Sequence, residues 1–544
     1  MKKADLVLKS NAVFTSLEDE PFKGGVAIEG NRILAVEKGD SIDKYIGPST
    51  EVHEYQDKLI MPGFIDSHTH YFIGAVSSSD HICDVTASTS EEECVEMIKQ
   101  YADTHPHEKR ILGIGWFPAY WDNAPLPSKL SLDAAIPDRP VYLISADVHT
   151  FWMNTKALEE AGITADMKPE SGEVCTFEGG ELSGILLEPE AYLPAMDKAM
   201  EFDRESMKKI YKDFLANIAA SGVTSITDMT AYEYSEAKYN QYKVVKEMED
   251  AGEMTARLHF YTKLGTYTDF SEAKKLEKIY CSGIFRMSGL KGFVDGVTST
   301  YTGLLLEPYA DKPDTTGIGV PLAPKEDLER TIIAANHAGL AVRLHCIADG
   351  SVRMALDMFE ASRKVNGNHG LKNAIEHIEN IHPDDIPRFA ELDIIPSMQP
   401  YHLTLDVNEK LIRMGEERCR WEWPHKTILE KGGKLVFSTD YPVVDFNPFL
   451  TLYAAVTRCD DDGNPTGINP EERVSLAEAI KAYTASAADI YDRSEELGTL
   501  EEGKLADVVV INKNLFAIDL MEIQRCQIDL TIMDGKIVYE RKLS

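Results

Sequence analysis

The sequence predicts an α/β fold. A TIM-like (β/α)8 barrel carries a composite β-sandwich built from both chain ends, and a subdomain inserted after barrel strand 1. Three observations predict this. Apolar runs alternate with helical stretches through the middle of the chain. The two ends share a texture of short strands and tight turns. One interval between runs is far longer than a single helix needs.

The ends come first. Residues 4–60 read as short strands Asp5–Leu8, Val26–Glu29, Ile33–Val36 and Val52–Tyr55, punctuated by turns at Gly30 and Gly39. Near the other end, Ala506–Ile511 and Leu530–Met533 read as strands. Asp534-Gly535 then turns the chain into Lys536–Tyr539, a strong hairpin signal. Neither end holds enough strands for a stable sheet alone. Residues 1–59 and 486–544 are therefore assigned to one composite β-sandwich.

Between them lie eight strand-like runs: Ile60–Ile65, Val223–Ile226, Arg257–Tyr261, Ile284–Phe293, Ala341–Leu344, Asn373–Ile378, Ile394–Ser397 and Lys434–Phe437. Helical candidates such as Lys325–Ala338, Ser351–Val365 and Asp384–Leu392 separate them. Strand–helix alternation implies a parallel sheet, and this many strands imply closure into a barrel. The barrel is assigned residues 60–75 and 210–485. The interval 76–209 has its own strand signals, Ile111–Trp116 and Val141–Ile144, and concentrates aromatics. It reads as a subdomain on the first βα connection, a station on the catalytic face of such barrels.

Composition narrows the function. The 544 residues hold 56 Lys+Arg against 90 Asp+Glu, a formal net charge of −34. That charge repels phosphate backbones and anionic lipid, so neither nucleic acid nor membrane is expected as a partner. No run of about 18 apolar residues offers a membrane span, and no apolar stretch follows the basic start at Lys2-Lys3. The 8 cysteines lie far apart and form no CxxC pair. They read as reduced thiols of a cytoplasmic protein, and a cysteine zinc cluster is unsupported.

The first barrel run ends in Asp66-Ser67-His68-Thr69-His70. Side chains alternate along a strand, so His68 and His70 share a face and can share a metal ion. Alone, that pair is weak evidence. Other strand ends add to it. Lys291 sits inside an otherwise apolar run, where a bare ammonium is costly, so it is either paired or chemically modified. His345 ends the fifth run, Glu376-His377 lies in the sixth, and Ser438-Thr439-Asp440 follows the eighth.

These residues resemble the amidohydrolase superfamily, in its large-insertion branch of YtcJ-like proteins and N-substituted formamide deformylases. The resemblance spans nearly the whole chain. It is carried by Pro62-Gly63-Phe64-Ile65-Asp66-Ser67-His68-Thr69-His70, and by Asp147-Val148-His149-Thr150-Phe151-Trp152-Met153-Asn154. Leu290-Lys291-Gly292-Phe293, the stations at His345, His377 and Asp440, and Gly498-Thr499-Leu500 through Asp507 complete it. Two departures stand out. Gly292 follows Lys291 where the branch commonly has a bulky apolar residue. Ala348 and Gly350 flank Asp349 where a Gly and a basic residue are usual. Both bear on pocket shape.

The resemblance implies a metal-dependent hydrolase of a non-peptide C–N bond, in a small-molecule amide, N-substituted formamide or related compound. His68 and His70 would hold one divalent ion, and His345 and His377 a second. Lys291, carboxylated by CO2, would bridge them. Asp440 would bind metal and shuttle the catalytic proton. Imidazole and carboxylate donors suit zinc, with iron, nickel or manganese as alternatives and one or two ions per chain. A metal lowers the pKa of bound water to about 7, so hydroxide attacks at neutral pH. His149, Trp116 and Trp152 are assigned to substrate binding, with Trp121 beside them. The remaining histidines, His402 included, read as ordinary. A homodimer follows superfamily habit and the prevalence of two-fold symmetry. Two other readings stay open: a catalytically silent binding or regulatory protein on the same scaffold, and a mononuclear deaminase or isomerase.

Overall fold

A computed structural model describes residues 2–118, 121, 124–146, 150–169, 172–187, 189–230, 236–316, 324–405 and 407–542. The chain divides into two compact units, Met1–Phe72 with Leu215–Ser544, and Ile73–Phe214.

The first unit contains the barrel. Its strands are Phe64–Thr69, Val223–Asp228, Arg257–Lys263, Phe285–Phe293, Val342–Cys346, Ala374–His377, Ile395–Met398 and Val436–Phe437, numbered here 1 to 8. They pair in parallel in that order. Strand 8 is two residues long, so closure is made just beyond it. The Asp440 N–H donates to the His68 carbonyl at 2.8 Å, and the His70 N–H to the Tyr441 carbonyl at 2.8 Å. The barrel therefore closes at the end where the predicted metal donors stand.

The run Ile60–Ile65 is not one strand. Leu59–Pro62 pairs antiparallel with Val508–Ile511 in the composite sheet, and barrel strand 1 starts at Phe64. The break is at Gly63. Its N–H donates to Asp507 of the composite sheet, whereas the next N–H, of Phe64, donates to Gly222 at the start of the barrel's strand 2. A Cβ at Gly63 would lie 2.3 Å from the Thr224 side chain, so only glycine passes. Apolar continuity across the switch hides it from a reading by composition.

The composite sheet runs Lys536–Glu540, Ile528–Met533, Val508–Ile511, Leu59–Pro62, Leu6–Val13, Phe22–Glu29 and Arg32–Lys38, and Glu51–Glu54 also pairs with Leu6–Val13. Residues from both chain ends enclose one core, including Leu8, Val26 and Ile60 from one end and Val510 and Ile532 from the other. Arg257 of barrel strand 3 anchors the barrel to this sheet. Its buried guanidinium makes two 2.9 Å bonds to Asp507 and one of 3.1 Å to Asp534. The bidentate fork suits the planar guanidinium.

The second unit has its own six-stranded sheet, in the order Glu173–Thr176, Leu182–Leu187, Thr150–Met153, Val141–Ser145, Ile111–Trp116 and Ile82–Asp84. Helix Glu91–Thr104 packs on it. Ser90 caps this helix by accepting from the Glu93 N–H, and three glutamates in the first turn complement the helix dipole.

Trp116 and Trp152, assigned to substrate binding from the sequence, are placed in the interior of this unit. Both are fully buried, and they pack with Trp121 at ring separations of 5.5–6.4 Å inside the unit's core. The Trp116 N–H donates to the Leu143 carbonyl, and the Trp152 N–H to the Ser128 carbonyl. Backbone carbonyls thus satisfy the one hydrogen-bond donor of each indole. Among the described residues, no helix is long and apolar enough to cross a membrane.

Candidate metal centre

Each candidate donor sits at the C-terminal end of a barrel strand. His68 is in strand 1 and His70 one residue past it. Lys291 is in strand 4, His345 in strand 5, and His377 ends strand 6. Asp440 lies three residues past strand 8. A further histidine, His402, joins them from the 3-10 turn Pro400–Thr404 after strand 7.

Asp440 is the hub. Its Oδ1 lies 3.0 Å from His70 Nε2 and 3.3 Å from His68 Nε2. Its Oδ2 lies 3.8 Å from His377 Nδ1 and 3.9 Å from His402 Nε2. The His68 and His377 rings are 4.8 Å apart, and those of His345 and His377 are 4.4 Å apart. Two groups of three donors result, His68 with His70 and Asp440, and His377 with His402 and Asp440. His345 belongs to neither group. Asp440 and His377 both hold left-handed backbone, at φ of 64° and 74°. That conformation costs a non-glycine residue about 1–2 kcal/mol, and it persists where the surroundings fix it.

Other partners orient the rings. The His68 Nδ1–H donates to Glu376 Oε2 at 2.6 Å, because an ionised carboxylate can only accept. Nε2 is thereby left as the acceptor facing Asp440. Glu376 is itself paired with Arg343, both side chains fully buried. The His377 Nδ1–H donates to Gln399 Oε1 at 2.9 Å, and the Gln399 amide N–H donates to Ser438 at 2.9 Å. The His345 Nε2–H donates to the Gly296 carbonyl at 3.2 Å, which leaves Nδ1 as its acceptor. Such outer partners set tautomer and ring orientation at metal sites.

Lys291 is 1% exposed, and among the described residues its Nζ has no hydrogen-bond partner. Asp440 serves the histidines above, and Asp295 and Glu376 are engaged elsewhere. Asp295 accepts the backbone N–H groups of Leu304, Ile347 and Ala348. Glu376 serves His68 and Arg343. Burial pulls the Lys291 ammonium down to about 8, with nearby Glu376 opposing. Burial, then the Lys291 charge, holds His68 well below the usual imidazole range and His345 at about 4. Burial and the neighbouring His345, His68 and Lys291 do the same for His377. Neutral imidazoles are the form that binds metal. Burial would raise Asp440, but the hydrogen bond that His70 donates helps to hold it well below the usual carboxylate range.

The departure at Gly292 has a packing cause. A Cβ there would lie 2.9 Å from Leu264 and 3.0 Å from Leu344, so the residue faces packed side chains rather than the donors. Gly350 is forced similarly, since its Cβ would meet the Leu304 carbonyl oxygen at 2.6 Å. His149 lies outside the described residues. His402 is the residue that sequence reasoning missed. Its one signal was a position five residues past the seventh apolar run, Ile394–Ser397, at the catalytic end of the barrel.

The donor set of neutral imidazoles, a carboxylate and an orphaned buried lysine fits a divalent metal with nitrogen and oxygen ligands. Comparison with known proteins agrees in kind. The sequence pattern of the amidohydrolase family matches residues 55–539. This chain belongs to the amidohydrolase family. Its relatives include Protein LONG AFTER FAR-RED 3 of Arabidopsis thaliana, 30% identical over 525 residues, covering 94% of this chain and 88% of that protein. N-substituted formamide deformylase of Arthrobacter pascens is 24% identical over 534 residues, 95% of each chain. The fold matches that of a metal-dependent hydrolase from Pyrococcus horikoshii at TM-score 0.79 and 24% identity, over 95% of this chain and 99% of that one.

Proposed function

We propose that this amidohydrolase is a metal-dependent hydrolase of a C–N bond in a small, non-peptide amide, with N-substituted formamides as the leading class. The observation that carries the reading is the convergence on Asp440 of imidazoles from strands 1 and 6, beside a buried lysine whose Nζ has no hydrogen-bond partner among the described residues. The name of the Arthrobacter relative supports the substrate class.

His68, His70, His345, His377, Asp440 and, once carboxylated by CO2, Lys291 would hold the metal. Zinc suits these donors. A divalent ion there supplies a water nucleophile near neutral pH and polarises the scissile carbonyl. Asp440 takes a proton from the attacking water at a carboxylate oxygen and returns it to the leaving nitrogen as the C–N bond breaks. His70 aims that carboxylate by donating to it at 3.0 Å. Glu376 and Gln399 hold the two rings that face it.

Elemental analysis of the chain purified without added metal or chelator tests the centre, and a panel of amides and formamides tests the reaction. Transition metal bound together with release of amine and acid is the expected result. A chain that carries no metal, and gains no activity when zinc is added, refutes the reading.

A further inference from the structure

His402 repeats the surroundings of His68 on the opposite side of Asp440. His68 has the Glu376 carboxylate at Nδ1 and Asp440 Oδ1 at Nε2. His402 has Glu379 Oε1 3.6 Å from Nδ1 and Asp440 Oδ2 3.9 Å from Nε2. Each outer carboxylate is matched by a buried cation, Arg343 on Glu376 and Lys410 on Glu379. Lys410 is itself fixed by Glu422 at 3.2 Å and by the Trp423 ring, whose centroid is 4.0 Å from the ammonium.

His402 is 6% exposed, and among the described residues its Nε2 has no hydrogen-bond partner. A buried ring nitrogen without a partner is costly, and something is needed to take its lone pair. Its plane lies within 13° of the His377 ring, at a centroid separation of 6.3 Å. Metal-bound histidines typically present their second nitrogen to a carboxylate, the arrangement that Glu379 offers.

We propose that His402 is a metal ligand, acting with His377 and Asp440, and that Glu379 and Lys410 hold its ring. The inference rests on the metal-centre reading above, and extends it with a ligand from the turn after strand 7. In it, His377 and His402 lie on the Oδ2 side of Asp440, and His68 and His70 on the Oδ1 side.

The test is zinc titration of the metal-free chain against a chelating indicator, for wild type, His402→Asn and Glu379→Gln. His402→Asn is expected to lose one ion, or to bind it at least about 10-fold more weakly. Glu379→Gln, which keeps an acceptor but removes the charge, is expected to weaken the same ion by about 10–100-fold. Unchanged stoichiometry and affinity in His402→Asn overturn the proposal. A crystal structure of the zinc-loaded wild type answers without any variant. Zinc about 2.0–2.1 Å from His402 Nε2 supports the proposal, and every located zinc lying beyond about 3 Å overturns it. A wild-type chain that binds no zinc instead removes the metal-centre reading, and this inference with it.

Discussion

The His68 imidazole and the Glu376 carboxylate meet at 2.6 Å inside the barrel, across 308 residues of sequence. The contact joins strand 1 to strand 6 and fixes which nitrogen of His68 faces Asp440. It is buried completely, and the second oxygen of Glu376 is taken by Arg343. One glutamate thus orients a donor and neutralises a guanidinium.

Glu376→Gln separates these roles. The amide oxygen still accepts from His68, but Arg343 loses its counter-charge in a dry interior. Breaking one partner of such a pair costs about 3–5 kcal/mol. Chemical denaturation should show a loss of that size, and metal titration a 10–100-fold weaker site. Unchanged stability would mean that water reaches Arg343.

Asp440→Asn tests the proton shuttle. Asparagine tolerates left-handed backbone, so the turn at φ 64° survives. The kcat should fall by about 10²–10⁴-fold, the usual scale of general acid–base catalysis, while the fold is retained by circular dichroism. Near-normal turnover would transfer the role to another group.

Lys291 gives a pH signature. Its folded pKa of about 8 lies below the ordinary 10.5. Between those values the unfolded chain binds the extra proton, so stability rises with pH through the window. In metal-free protein kept free of CO2, the gain from pH 8 to 10.5 should be about 3 kcal/mol. Lys291→Met should abolish that share of the slope and raise stability at pH 7, yet lower metal content. Denaturation curves at several pH values, read as wild type minus variant, check this.

Trp152→Ala should behave as a core deletion. The ring is fully buried between Trp116 and Trp121. A loss of about 3–5 kcal/mol in the stability of the second unit is expected, measured by denaturant titration with its fluorescence. A change in KM alone, with stability unaltered, would return Trp152 to the substrate pocket.

Much of this was legible in the residues. Strand alternation put His68 and His70 on one face, and an ammonium in an apolar run marked Lys291 as unusual. Period and polarity act locally, so they survive in a sequence. The rest depended on distance in space. His402 lies in no strand, and only the fold brings its ring beside Asp440. Trp116 and Trp152 carry the composition of a ligand wall, and composition does not say which side of a sheet a ring faces. The switch at Gly63 is a change of hydrogen-bonding partner within unbroken apolar sequence, from Asp507 to Gly222.

Closure of the barrel beside Asp440 also sets a timetable. His70 and Asp440 are 370 residues apart. At ribosomal speeds of about 5–20 residues per second, strand 1 waits about 20–70 s for its last neighbour to be made. Strand 2 can cover one edge of it earlier, but the other edge stays open. An open apolar edge is a template for pairing with another chain. Variants that weaken the short strand 8 should therefore be lost as insoluble nascent protein before any effect on turnover is seen, and slower growth temperature or a chaperone that shelters strand edges should recover them.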